Sequence, residues 1–85
     1  MNIFSVLYCQ GGRTFAAEVL ARDEREAVEV FWQKAAAGSP LIDPGDIQVE
    51  SVEELAPAEA VPYPEALPDG PALLAVVELG KSEER

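Results

Sequence analysis

The chain has 85 residues, with 16 acidic residues against six basic ones, no histidine and one cysteine, and its net charge is −10. Without histidine there is no imidazole base, no Ser-His or Cys-His nucleophile pair and no imidazole metal ligand. A single cysteine excludes an internal disulfide and a zinc site built from Cys and His. The composition therefore favours a binding protein over an enzyme and predicts neither a cofactor nor a metal.

The length and the hydropathy pattern set the class of protein. Eighty-five residues are expected to form one domain, and an apolar fraction of 48% is sufficient for folding. No apolar run approaches the roughly 18 residues that a membrane-spanning helix needs, and the N-terminal residues do not resemble a signal peptide. The lone Cys9 fits a reducing compartment. We therefore expect a cytoplasmic protein with no membrane partner.

The first twenty-one residues predict a β-hairpin. Residues 2–10 and 13–21 are rich in β-branched and aromatic types, and Gly11-Gly12 between them suits a two-residue turn with positive φ. That turn places Tyr8 opposite Phe15, on an apolar face that we expect to be the core.

The second face of this hairpin is also unusually apolar. It carries Ile3, Leu7 and Leu20, whereas a solvated face would be more polar. We expect these three side chains to be covered, either by the chain's own residues 72–79 or by the partner in a homodimer.

A helix is predicted from about residue 24 to residue 37. Asp23 is a suitable N-cap, and Glu26 three residues later completes the pattern of a capping box. Trp32 lies at the edge of the apolar stripe of this helix. It is expected to be either partly buried in the core or an exposed anchor for a partner.

The remaining residues complete a two-layer α+β fold of β-β-α-β(-β) type, an antiparallel sheet with one helix packed on one face. Residues 47–55 predict a third strand, so that residues 1–55 form a ββαβ core with the first strand in the middle of its sheet. Residues 56–71 contain five prolines and predict an extended connector. The apolar residues 72–79 predict a C-terminal strand of the same domain, and residues 80–85 a polar tail.

The negative charge predicts the chemistry of the partner. Nucleic acids and anionic lipids would repel this chain, whereas a basic protein surface would attract it. Asp43 and Asp46 bracket a Pro-Gly turn, but the regular oxygen-ligand spacing of a calcium loop is missing. The candidate partner-binding residues are Glu24, Glu29, Trp32, Asp43, Asp46, Glu50 and Glu54.

The pattern of residues 2–55 resembles a class of small phage and mobile-element proteins that includes some anti-CRISPR proteins. The resemblance depends on the hairpin, on the segment ARDEREAVEVF and on the segment VESVEEL. It implies a non-catalytic protein that inhibits a CRISPR-type bacterial defence complex by binding through its acidic surface. If the chain is phage-encoded, its cytoplasmic location is that of the host cell. The alternatives are an acidic antitoxin-like regulator of a basic toxin and an accessory structural protein.

Overall fold

Four antiparallel strands and one helix form the fold, in a computed structural model that describes residues 1–42, 45–57 and 67–81. The elements are β1 (Asn2–Gln10), β2 (Arg13–Ala21), α1 (Glu24–Ala36), β3 (Gln48–Pro57) and β4 (Ala72–Lys81). The strand order is β3-β1-β2-β4, and α1 packs against one face of the sheet. The predicted α+β fold, with the first strand inside the sheet, is confirmed.

The hairpin between β1 and β2 has the predicted register. Gly11 and Gly12 have φ angles of 62° and 77°, which is the pair of positive values that a type I′ turn requires. Tyr8 lies opposite Phe15, and each position farther from the turn is paired without a break to the ends of both strands. The turn therefore decides which side chains of the two strands face the helix.

The core lies between this face of the sheet and α1. The ring of Tyr8 stacks on Phe15 at a centroid distance of 5.3 Å and meets Phe31 of the helix at 4.8 Å. The fully or nearly fully buried members of this layer are Phe4, Val6, Tyr8, Ala17, Val19, Ala21, Ala27, Phe31 and Ile42. Apart from the phenol hydroxyl of Tyr8 this core is apolar, and no charged side chain is buried among the described residues.

The start of α1 differs in one detail from a capping box. Asp23 is the N-cap, and its carboxylate accepts a hydrogen bond from the backbone N–H of Glu26 at 2.8 Å. The carboxylate of Glu26 accepts from the backbone N–H of Arg22 at 2.8 Å and also binds the Arg22 guanidinium. The reciprocal bond is thus shifted by one residue, because the Arg22 side chain supplies a cationic partner at that position.

Both later strands are longer than the sequence predicts. Ala56 and Pro57, expected in the connector, pair with Ile3 and Asn2 at the end of β3. Pro57 is tolerated there because β3 is an edge strand, where the N–H that proline lacks is not needed for pairing with a further strand. Gly80 and Lys81, expected in the polar tail, pair with β2, because β2 offers its whole length as a template.

The expectation that residues 72–79 cover the second face of the hairpin is wrong. These residues pair with β2 in the plane of the sheet, and they widen this second face instead of lying over it. Ile3 and Leu20 are nevertheless only 8% and 2% exposed within a single chain, whereas Leu7 is half-buried. A homodimer is therefore not needed to bury the end of this face that carries Ile3 and Leu20.

Candidate binding surface: the acidic face of the sheet

The sheet surface opposite α1 carries a row of side chains that crosses all four strands. Ser5 of β1 lies opposite Glu53 on one side and Glu18 on the other, and Glu18 lies opposite Ala75 of β4. Directly opposed residues point to the same face, and neighbouring strands lie about 4.8 Å apart, so the two carboxylate-bearing positions are about 10 Å apart. We call this surface, defined by Glu18, Glu50 and Glu53, the acidic face.

A β-bulge in β3 determines which acidic residues belong to this face. Tyr8 pairs with Val49 and Leu7 pairs with Ser51, so Glu50 is an additional residue that shifts the alternation of the strand. After the shift Glu53 faces away from the helix. Glu54, which pairs with Phe4, is on the helix side. Regular alternation along the strand would put the predicted site residues Glu50 and Glu54 on one face, and the bulge separates them.

Glu50 is held on the acidic face by the cysteine. The thiol of Cys9 donates a hydrogen bond to Oε2 of Glu50 at 2.7 Å, and its sulfur is 3.7 Å from the hydroxyl oxygen of Thr14. A free cysteine in a strand, such as Cys9, commonly serves only as a small apolar side chain. Cys9 instead fixes the position of a carboxylate that the bulge alone would leave free to rotate.

A shallow depression of about 630 Å³ lies at the hairpin end of this face. Asp46 and Glu50 both line it, so the structure brings these two predicted site residues together. Its lining residues are Cys9, Gln10, Gly11, Gly12, Asp46, Ile47, Gln48 and Glu50. Asp43, another predicted site residue, lies outside the described residues. The depression extends the negative charge of the acidic face to the end of the sheet.

The arginines among the described residues lie elsewhere and are paired with carboxylates. Arg13 binds Glu78 at 3.1 Å, and the register places Glu78 opposite Phe15, on the helix side of the sheet. Arg22 binds Glu26 at 2.8 Å near the start of α1. The acidic face carries no basic side chain among the residues whose side chains the structure describes, so its negative charge is not compensated locally.

A third ion pair among the described residues lies on α1. Arg25 binds Glu29 at 3.5 Å, so this predicted partner-binding residue already has a cation beside it. Hydrogen bonds donated by the side chain and backbone N–H of Arg22 lower the pKa of Glu26. The side-chain bond that Arg22 donates to Glu26, together with the negative charge of that carboxylate, raises the pKa of Arg22. Charges around α1 thus offset one another more than charges on the acidic face do.

The predicted site residues do not form one surface. Glu24, Glu29 and Trp32 are on α1, on the other side of the sheet from Glu50. Trp32 packs the edge of its ring against Phe31 at 5.3 Å and is 42% exposed, so it is both part of the helix packing and accessible. Sequence reasoning missed Glu18 and Glu53. The hairpin register already indicated the position of Glu18, but no sequence signal indicated the bulge that turns Glu53.

The chemistry available to this surface is that of carboxylates, of which those of Glu50 and Glu53 are exposed and that of Glu18 is half-buried. Within residues 1–42, 45–57 and 67–81, no three Cys, Asp or Glu side chains are grouped closely enough to hold a metal ion. No helix in the described part of the chain is long and apolar enough to cross a membrane. The arrangement can attract cations and accept hydrogen bonds from Lys and Arg side chains.

The comparisons with known proteins give no relative for this chain: no family model matches it, and no curated protein or solved structure is significantly similar to it.

Proposed function

We propose that this chain is a non-catalytic binding protein whose acidic face docks on the basic, nucleic-acid-binding surface of another protein and blocks it. The partner class that we propose is a CRISPR-type defence complex of bacteria. The observation that carries the proposal is the acidic face itself. Glu18, Glu50 and Glu53 lie together there, and none of the described basic side chains is on this face.

The sheet provides a rigid scaffold for these charges. Glu18 belongs to a central strand, and Glu53 is held next to the central strand β1. The backbone of the sheet fixes the spacing of these residues, and their carboxylates can meet guanidinium groups in charge-assisted hydrogen bonds. A groove that binds phosphates presents such cations in rows, so the same groups that hold nucleic acid would hold this face.

Long-range attraction adds to the local contacts. A net charge of −10 on 85 residues steers the chain toward basic surfaces and raises the association rate. The complex should therefore weaken as salt rises from about 50 to about 500 mM, where the Debye length falls from about 14 to about 4 Å. A regulator of a basic toxin would need the same charges and would be distinguished by the partner that it binds.

The proposal is tested with a panel of purified CRISPR effector complexes and a fluorescent target DNA. The measurements are displacement of the DNA by anisotropy and inhibition of its cleavage. The variant Glu18→Gln/Glu50→Gln/Glu53→Gln should lose inhibition, because it removes the charges of the acidic face while conserving their shape.

A matched variant controls for net charge. Glu24→Gln/Glu29→Gln/Glu54→Gln removes the same number of charges from the helix side of the sheet and should inhibit nearly as well as the original chain. The proposal is rejected if the two variants lose inhibition equally, if only the control variant loses it, or if the unaltered chain binds no complex of the panel.

A further inference from the structure

The outer edge of β4 is an apolar edge strand. Among the described residues β4 pairs with β2 alone, so its other side presents backbone N–H and C=O groups without a partner strand. Val77 and Leu79 of this strand are 47% and 58% exposed. An exposed, apolar edge of this kind is a template for pairing with a further strand.

The opposite edge of the sheet is protected. β3 carries Glu50, Glu53 and Glu54 and ends in Pro57, and charges and proline are the residues that prevent pairing at an edge. Between Ala72 and Gly80, β4 has Glu78 as its single charged residue, and Arg13 binds that carboxylate at 3.1 Å. The β4 edge is thus nearly neutral in a chain of strong negative charge.

The middle of β4 is a regular stretch between two irregularities. Its pairing with β2 is interrupted by additional residues at Leu74 and at Leu79, and the pairing is regular from Ala75 to Glu78 between them. The centre of this regular stretch lies between Val76 and Val77. When a strand pairs antiparallel with its own copy about a two-fold axis perpendicular to the sheet, one residue lies opposite itself. Val77 suits this position, because it is exposed whereas its neighbour Val76 packs against the core.

We infer that β4 pairs antiparallel with β4 of a second copy of this chain, about a two-fold axis perpendicular to the sheet and close to Val77. The two Val77 side chains would oppose each other on the side of the acidic face, since Val77 lies opposite Ala16 there. The dimer has one continuous sheet of eight strands, with both helices on one side and both acidic faces on the other. This inference does not depend on the proposed function.

The second copy is favoured over an unrelated partner by the self-compatibility of the charges. In a two-fold interface a patch of one chain contacts the same patch of the second chain. An edge that carries several carboxylates would therefore be repelled by the same edge of the second copy. Of the two edges, β4 alone avoids this. The remaining repulsion between two chains of −10 is long-range and is screened by salt. The dimer therefore strengthens as salt rises, whereas the proposed complex with a basic partner weakens.

The experiment measures the molecular mass of the chain by sedimentation velocity over a concentration series in about 50 and about 500 mM salt. A monomer–dimer equilibrium that shifts toward the dimer in high salt is expected. Val77→Lys places a charge on the β4 edge and should abolish the dimer. Ser51→Lys makes the same charge change on the same face of the opposite edge strand, and it should leave the dimer intact.

A second measurement does not require a variant to fold. Hydrogen exchange of the unaltered chain should show backbone amides of β4 that become protected as the concentration rises, with no such change in β3. The inference is overturned if the chain stays monomeric in high salt, if Val77→Lys folds and still dimerises, or if the concentration-dependent protection appears in β3 and not in β4.

Discussion

Leu20→Ala tests whether the second face of the hairpin is packed within one chain. Leu20 is 2% exposed and lies opposite Ile3, which is 8% exposed, although both are on the side of the sheet away from the helix. Removing a buried leucine side chain costs about 2–5 kcal/mol, from lost burial and from the cavity that remains. A domain of this length is stabilised by roughly 4–13 kcal/mol, at about 0.05–0.15 kcal/mol per residue, so the loss is a large fraction of the total.

The assay is urea unfolding followed by the fluorescence of Trp32, the only tryptophan of the chain. At an m value of about 1 kcal/mol/M, a loss of 2 kcal/mol lowers the midpoint by about 2 M. Leu55→Ala is the matched control, because Leu55 is 49% exposed and the same change there should cost about 1 kcal/mol or less. The difference between the two variants should not depend on protein concentration.

Two results would refute this reasoning. Equal midpoints for Leu20→Ala and Leu55→Ala would mean that Leu20 is not packed in solution. A cost of Leu20→Ala that appears only at high protein concentration would mean that a second chain, and not the chain itself, covers this end of the face.

Three further predictions concern the helix start and the hairpin turn. Asp23→Ala removes the N-cap acceptor and should lower the free energy of unfolding by about 1 kcal/mol in the same urea assay, whereas Asp23→Asn should retain most of it. The pKa of Glu26 is lowered in the folded chain by its hydrogen bonds from Arg22, so this carboxylate stabilises the fold above its unfolded pKa, and the contribution is lost as pH falls through the folded pKa. Glu26→Gln should therefore flatten the acid side of a stability–pH curve; an unchanged curve would show that the pair contributes nothing. Gly12→Ala forces a side chain into φ 77° and should cost about 1–2 kcal/mol, while Gly11→Asn should be nearly neutral, and equal melting temperatures for the two variants would contradict the assigned turn.

The sequence by itself determined the local elements of this protein. Gly11-Gly12 fixes a two-residue turn, and the turn fixes the pairing of Tyr8 with Phe15, because a tight hairpin allows little freedom of register. Asp23 likewise fixes the start of the helix through one hydrogen bond to a residue three positions away. These features follow from sequence because each depends on contacts between residues that are close along the chain.

Only the tertiary structure decided the composition of the candidate surface. The bulge at Glu50 forms where β3 meets β1, about forty residues away in sequence, and it moves Glu53 onto the acidic face and Glu54 off it. The same applies to β4. The sequence did not decide whether this segment pairs beside the hairpin or lies over it, and its pairing with β2 places it at the edge of the sheet. Alternation within one strand cannot reveal a residue inserted against another strand, because the insertion is defined by the partner's backbone hydrogen bonds and not by the strand's own side chains.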